Sequence, residues 1–135
     1  MLTDAGPLAA IVDGRDSYHD SCVAELRRLA PPMVTLLPAF TEAMYLAGRR
    51  AGWAAQDRLW VMVERGVLLV QQLESADLDR ARELMRHYRD LPMDFADATL
   101  VAYAERENLH EVFTVNRRDF STYRLRGRTA FTIYP

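Results

Sequence analysis

Met1-Leu2-Thr3-Asp4-Ala5-Gly6-Pro7-Leu8 opens the chain and sets the reading of everything after it. A very short apolar run ends on an acid. Gly6-Pro7 then starts a helix, where proline is tolerated in the first turn. The Asp4 carboxylate is therefore expected at the C-terminal end of a strand, the edge of an open α/β sheet where ligands gather. Taken alone, Asp4 could equally cap the helix that follows. A central parallel strand usually has about five residues, so either this strand is short or the true start lies upstream of Met1.

Working outward, helix and strand signals alternate along the whole chain. The first helix reaches about Val12. A second, capped by Asp16 or Ser17, runs to about Leu29 with Cys22, Val23, Leu26 and Leu29 on one face, and Pro31-Pro32 ends it. Residues 33–37 read as a short buried strand, 38–50 as a helix, 53–65 as another, and 67–73 as a strand. A charged helix over 75–89 precedes a further helix over 94–107, a strand over 111–115 and a last strand over 129–134. Short apolar strands joined by helices predict an α/β fold, with a parallel sheet covered on both faces. A three-layer α/β/α domain over 1–135, with a short central parallel sheet of four or five strands, is the expectation.

Composition narrows the chemistry. Half of the 135 residues are hydrophobic and 27% are charged, ordinary proportions for a globular protein. No apolar stretch approaches the roughly 18–20 residues of a membrane span, and Asp4 and Asp13 interrupt any signal-peptide core. Cys22 is the single cysteine, which excludes an internal disulfide and a thiolate metal cage and fits a reducing cytoplasm. All 17 basic residues are arginine. The absence of lysine excludes the P-loop lysine, Schiff-base catalysis and a phospho-receiver switch. Arginine's planar fork suits phosphate, although genome composition alone produces the same enrichment.

Three further acids fall at comparable element ends: Glu42, Asp97 and Asp119. Each has an ordinary explanation. Glu42 could serve the dipole of its helix. In Pro92-Met93-Asp94-Phe95-Ala96-Asp97-Ala98, Asp94 reads as an N-cap and Asp97 as the third helical residue of a capping box. Asp97 is also flanked by apolar residues, and a buried carboxylate needs a partner or a cation. Asp119 and Asn116 could be surface turn residues. Together, four carboxylates converging on one sheet edge repel one another unless a cation is present, and a hard ion such as Mg²⁺ or Mn²⁺ answers that need.

Asp4-Ala5-Gly6-Pro7-Leu8, Thr41-Glu42-Ala43, Asp97-Ala98 with Leu100-Val101-Ala102-Tyr103-Ala104, and Thr114-Val115-Asn116-Arg117-Arg118-Asp119-Phe120 resemble the PIN-domain ribonucleases, most of all VapC-type toxins of bacterial type II toxin–antitoxin pairs. The resemblance runs from Asp4 to about Phe120. It implies a PIN-like fold and Mg²⁺- or Mn²⁺-dependent cleavage of RNA, leaving 5′-phosphate and 3′-hydroxyl ends. It places catalytic, metal-binding acids at Asp4, Glu42 and Asp97, with Asp94 in support. The fourth place falls on Asp119, or on Asn116 as a neutral ligand. Thr114 is implied to orient a neighbouring carboxylate. Transfer RNA or ribosomal RNA as substrate, a homodimer and a cognate antitoxin covering the acidic pocket are further implications.

For RNA, Arg117, Arg118, Arg124, Arg126 and Arg128 crowd one segment, and Tyr123 among them could stack a base; a solvated loop is the alternative. Trp53 and Trp60 share a helical face near Met44 and Tyr45, as either core packing or an interface. His19 and Cys22 sit three apart on a helix, but no orienting partner supports a nucleophile. The rival to a nuclease is a catalytically silent PIN-like module that binds RNA or protein, a reading that Asn116 favours.

Overall fold

The computed structural model describes residues 1–29 and 32–135, so the break expected at Pro31 lies outside the described residues. The first half contains β1 (Leu2–Thr3), α1 (Ala5–Val12), α2 (His19–Arg28), β2 (Met33–Leu36), α3 (Leu37–Ala51) and α4 (Trp53–Glu64). The second contains β3 (Leu68–Gln71), α5 (Ser75–His87), α6 (Phe95–Glu107), β4 (Glu111–Phe113), α7 (Arg117–Phe120), β5 (Arg124–Leu125), β6 (Thr129–Ala130) and β7 (Thr132–Tyr134). Five strands form a parallel sheet in the order β3-β2-β1-β4-β7. Leu2, Thr3, Met33, Thr35, Val112 and Phe113 are all buried, so both faces of the sheet are covered. This is the α/β/α layering that apolar parallel strands demand.

β1 is central although it has only two residues. The adjoining backbone extends its ladder on both sides: the Val34 N–H donates to the Met1 carbonyl at 2.8 Å and the Asp4 N–H to the Phe113 carbonyl at 3.0 Å. α6 is buried on almost every side from Ala96 to Ala104, as a helix with apolar residues all round must be. Its partner α5 is stapled to it by two arginine forks. Arg106 donates to both Asp77 oxygens at 2.9 and 3.0 Å, and Arg80 to both Glu105 oxygens at 2.7 and 3.0 Å.

Two expectations change. The strand expected over 129–134 is split: β6 pairs antiparallel with β5, Phe131 is buried, and β7 joins β4 in the main sheet. The β5–β6 turn has Arg126 at φ 49° and Gly127 at φ 70°, the positive-φ pair that tight hairpins require. The arginine-rich segment is thus folded rather than a loop, with Arg117 and Arg118 on α7 and Arg124, Arg126 and Arg128 in the hairpin, all exposed but Arg124. Nor do Trp53 and Trp60 pack in the core. They are 67% and 47% exposed, beside Tyr45 at 60%, with Trp60 resting edge-on against Phe40 at 5.4 Å. Ala55 and Leu59 occupy the buried side of α4 instead.

Candidate active site

β1 and β4 lie side by side at the point where the strand order reverses, and a crevice beyond the carboxyl ends of the strands forms at such a point. Asp4 follows β1 and Thr114 follows β4. The register of Thr3 with Phe113 brings the two together. The Thr114 hydroxyl donates to Asp4 Oδ2 at 2.8 Å, and the Ala5 N–H donates to Oδ1 at 2.6 Å. Asp4 therefore caps α1 and faces Thr114 at once, so the two sequence readings are compatible. Gly6 makes this approach possible, since a Cβ there would meet Val115 Cγ2 at 2.5 Å. Burial raises the Asp4 pKa, the bonds from Thr114 and Ala5 oppose that rise, and the charge of Asp94 adds to it.

Asp97 enters from the first turn of α6. Asp94, exposed, is the N-cap and accepts the Asp97 N–H at 2.8 Å. The Asp97 carboxylate does not return that bond as a capping box would. Its Oδ2 accepts the Tyr123 hydroxyl at 2.9 Å instead. Only 6% of Asp97 is exposed. Burial first, then the charges of Asp4 and Asp94, push its carboxyl up to about 8; the Tyr123 bond works against the rise and Asp119 adds to it.

Glu42 lies in the second turn of α3, beyond the first turn where a helix dipole would favour an acid. It is exposed, yet lost hydration and then the charges of Asp4 and Asp94 raise its pKa. Asp119 lies on the four-residue helix α7, capped by Asn116. The Asn116 amide nitrogen donates to Asp119 Oδ2 at 2.8 Å and its oxygen accepts the Asp119 N–H at 3.4 Å. Both polar atoms of Asn116 are thereby engaged with Asp119.

The structure thus brings Asp4, Glu42, Asp94, Asp97 and Asp119 into one electrostatic field, with Thr114 and Asn116 as their hydrogen-bonding supports. Among the described residues none of the five forms an ion pair. Nor are any three drawn together as a ready-made cation cage. An ion here would have to gather carboxylates that now stand apart.

The arginines divide. Arg117 and Arg118 are exposed, with Arg117 donating to the Pro135 carbonyl. Arg124 is half-buried and donates to its own backbone, at the Ser121 and Tyr123 carbonyls. Together with Arg80, His87 and Arg126 it lines a separate cavity of about 230 Å³. Tyr123 is wholly buried and presents no face to a base. The Cys22–His19 pairing has no support either: Cys22 is buried, with a thiol pushed up to about 11 by that burial, and His19 Nδ1 meets the Ala10 carbonyl at 2.8 Å.

A PIN domain profile matches residues 1–124, enclosing every one of these acids. The chain belongs to the PIN domain family. Ribonuclease VapC26 of Mycobacterium tuberculosis (strain ATCC 25618 / H37Rv) is 26% identical to it over 135 residues, the full length of both. Among solved structures, Mycobacterium tuberculosis VapC20, a sarcin-ricin loop cleaving toxin, aligns with a TM-score of 0.78 at 19% identity, covering 87% of this chain and 92% of the other. A toxin–antitoxin complex from Klebsiella pneumoniae aligns at 0.70 with 21% identity, covering 90% of each chain. At such identities these two structures speak for the PIN fold alone.

Sequence reasoning missed Tyr123 as a neighbour of the acids. A signal was present: Phe120 and Tyr123, three apart after Asp119, form an apolar pair at helical spacing. In the structure both are wholly buried.

Proposed function

We propose that this PIN domain is a divalent-metal-dependent endoribonuclease, the VapC-type toxin of a toxin–antitoxin pair, hydrolysing RNA phosphodiester bonds with Mg²⁺ or Mn²⁺. The observation that carries the reading is the group of acids around Asp4 and Asp97, mutually repelling and without a cationic partner among the described residues. An all-oxygen donor set of this kind suits a hard divalent ion. Full-length similarity to Ribonuclease VapC26 supports the same activity.

In this reading Asp4 and Asp97 hold the ion directly, while Glu42 and Asp119 touch it directly or through water. Asn116 acts through Asp119, as the two hydrogen bonds between them suggest. A bound divalent ion supplies positive charge to the scissile phosphate and acidifies water. Thr114 and the Ala5 N–H hold Asp4 in one orientation. Glu42, exposed and with a raised pKa, would accept a proton from the attacking water. Arg117 and Arg118 bind backbone phosphates beside Asp119, with Arg124 behind them.

The partners follow the same reading: tRNA or rRNA as substrate in the cytoplasm, a second copy of the chain, and a cognate antitoxin. The exposed Tyr45, Trp53 and Trp60 on α3 and α4 support a protein partner, since these residue types concentrate in interfaces. No helix among the described residues is long and apolar enough to cross a membrane.

The test is cleavage of tRNA and rRNA by purified protein with Mg²⁺, Mn²⁺ or EDTA, beside Asp4→Asn. Metal-dependent cutting that disappears in Asp4→Asn is the expected result. A folded protein that neither binds Mn²⁺ nor cuts RNA would overturn the nuclease and leave a silent binding module.

A further inference from the structure

Tyr123 is the largest fully buried side chain beside the acids, and its hydroxyl is the one phenol among the described residues that hydrogen-bonds to them. Its ring is held from two sides. Tyr88 packs edge-on at 5.2 Å with an interplanar angle of 63°, and Phe120 at 5.2 Å and 71°. Phe120 is in turn backed by Phe131 at 5.7 Å. The backbone is fixed as well: the Tyr123 N–H donates to the Asp119 carbonyl at 3.1 Å, and the next N–H, of Arg124, donates to the Tyr88 hydroxyl at 3.0 Å. A ring clamped in this way delivers its hydroxyl to a single place, Asp97 Oδ2 at 2.9 Å. Among the described residues no donor meets Asp97 Oδ1.

We propose that Tyr123 is a positioning residue. By donating to Asp97 Oδ2, it fixes the rotation of that carboxylate and leaves Oδ1 as the oxygen that would hold a cation. The proposal rests on the metal-dependent reading above and deepens it. The pairing repeats on Asp97 what Thr114 does on Asp4, a hydroxyl donated to one carboxylate oxygen. Carboxylate ligands are commonly fixed by such outer partners, and loss of a partner typically weakens metal affinity about 10- to 100-fold. The Tyr123 N–H closes the turn after α7 on the Asp119 carbonyl, so the phenol that holds Asp97 hangs from the segment that carries Asp119.

The experiment is Mn²⁺ titration of the metal-free protein, read by the loss of the free-ion electron paramagnetic resonance signal, for wild type, Tyr123→Phe, Tyr18→Phe and Asp97→Asn with and without Tyr123→Phe. Phe keeps the clamped ring and removes only the donor. The expected result is a Kd about 10- to 100-fold weaker in Tyr123→Phe. Tyr18→Phe removes an exposed phenol hydroxyl that, among the described residues, bonds neither to the acids nor to the clamp around Tyr123, and should bind as wild type does. In the Asp97→Asn background, Tyr123→Phe should add nothing, because its effect passes through that carboxylate. Wild-type affinity in Tyr123→Phe, with wild type binding Mn²⁺, overturns the proposal and leaves the nuclease reading intact. A wild type that binds no Mn²⁺ sinks both. Should Tyr123→Phe fail to fold, a ring-fluorinated tyrosine at position 123 keeps the shape and alters donor strength, and an unchanged Kd there overturns the proposal equally.

Discussion

Asp97→Asn should make the metal-free protein more stable, although it removes a principal metal ligand. An aspartate ordinarily titrates at 3.8, whereas Asp97 is pushed up to about 8 by burial and by Asp4 and Asp94. The sign follows from linkage. Between these values the folded chain holds a proton that the unfolded chain releases, so the stability of the metal-free protein falls as pH rises from about 4 to 8. Each pH unit in that window removes about 1.4 kcal/mol, and by pH 7 the loss is on the order of 4 kcal/mol. Asparagine has the same shape, its oxygen can still accept the Tyr123 hydroxyl, and its amide nitrogen turns a donor toward the remaining acids. We expect a gain of about 2–4 kcal/mol at pH 7 in EDTA, or roughly 5–10 °C in melting temperature. The gain should shrink as pH falls toward 4 and vanish below about pH 3, where Asp97 is protonated in both states. The assay is urea and thermal denaturation of wild type and Asp97→Asn in EDTA at pH 4, 5.5, 7 and 8.5. Equal stability at pH 7 with an unchanged pH slope would refute the claim that Asp97 is buried among uncompensated charges.

Two other perturbations test the frame around the site. Thr114→Val keeps the shape of Thr114 but leaves Asp4 Oδ2 and the Asn116 N–H without their shared hydroxyl. It should cost about 1–3 kcal/mol in urea denaturation and weaken Mn²⁺ binding about tenfold. Arg106→Ala removes the fork on Asp77, which is 2% exposed. The loss should be about 2 kcal/mol, less than for a fully buried pair because Arg106 itself is partly exposed. Burial pushes the Asp77 carboxyl up, but bonds from Arg106 and the Glu74 N–H outweigh it and hold the pKa below 3.8. The contribution is present above that pH and lost as pH falls through the lowered value, so the gap between wild type and Arg106→Ala should close in acid. Stability curves that stay parallel below pH 4 would show that Asp77 does not depend on Arg106.

The sequence by itself determined the α/β layering, the placement of Asp4, Asp97 and Asp119 near element ends, and the Asp94 cap. These are local matters: proline and glycine punctuation, apolar runs and the short reach of a capping side chain act within a few residues. The period of α4 also placed Trp53 and Trp60 on one face, but a period cannot say which face meets the core. Ala55 and Leu59 took that side, and the tryptophans were left outside. The two-residue β1 could be judged only with its neighbours present, because Met1 and Asp4 complete its ladder through β2 and β4. The supports of the acids likewise belong to tertiary structure. Thr114 reaches Asp4 across 110 positions and Tyr123 reaches Asp97 across 26. Strand order and the packing of α7 and the β5–β6 hairpin bring those pairs together, and neither is written in the spacing of the residues concerned.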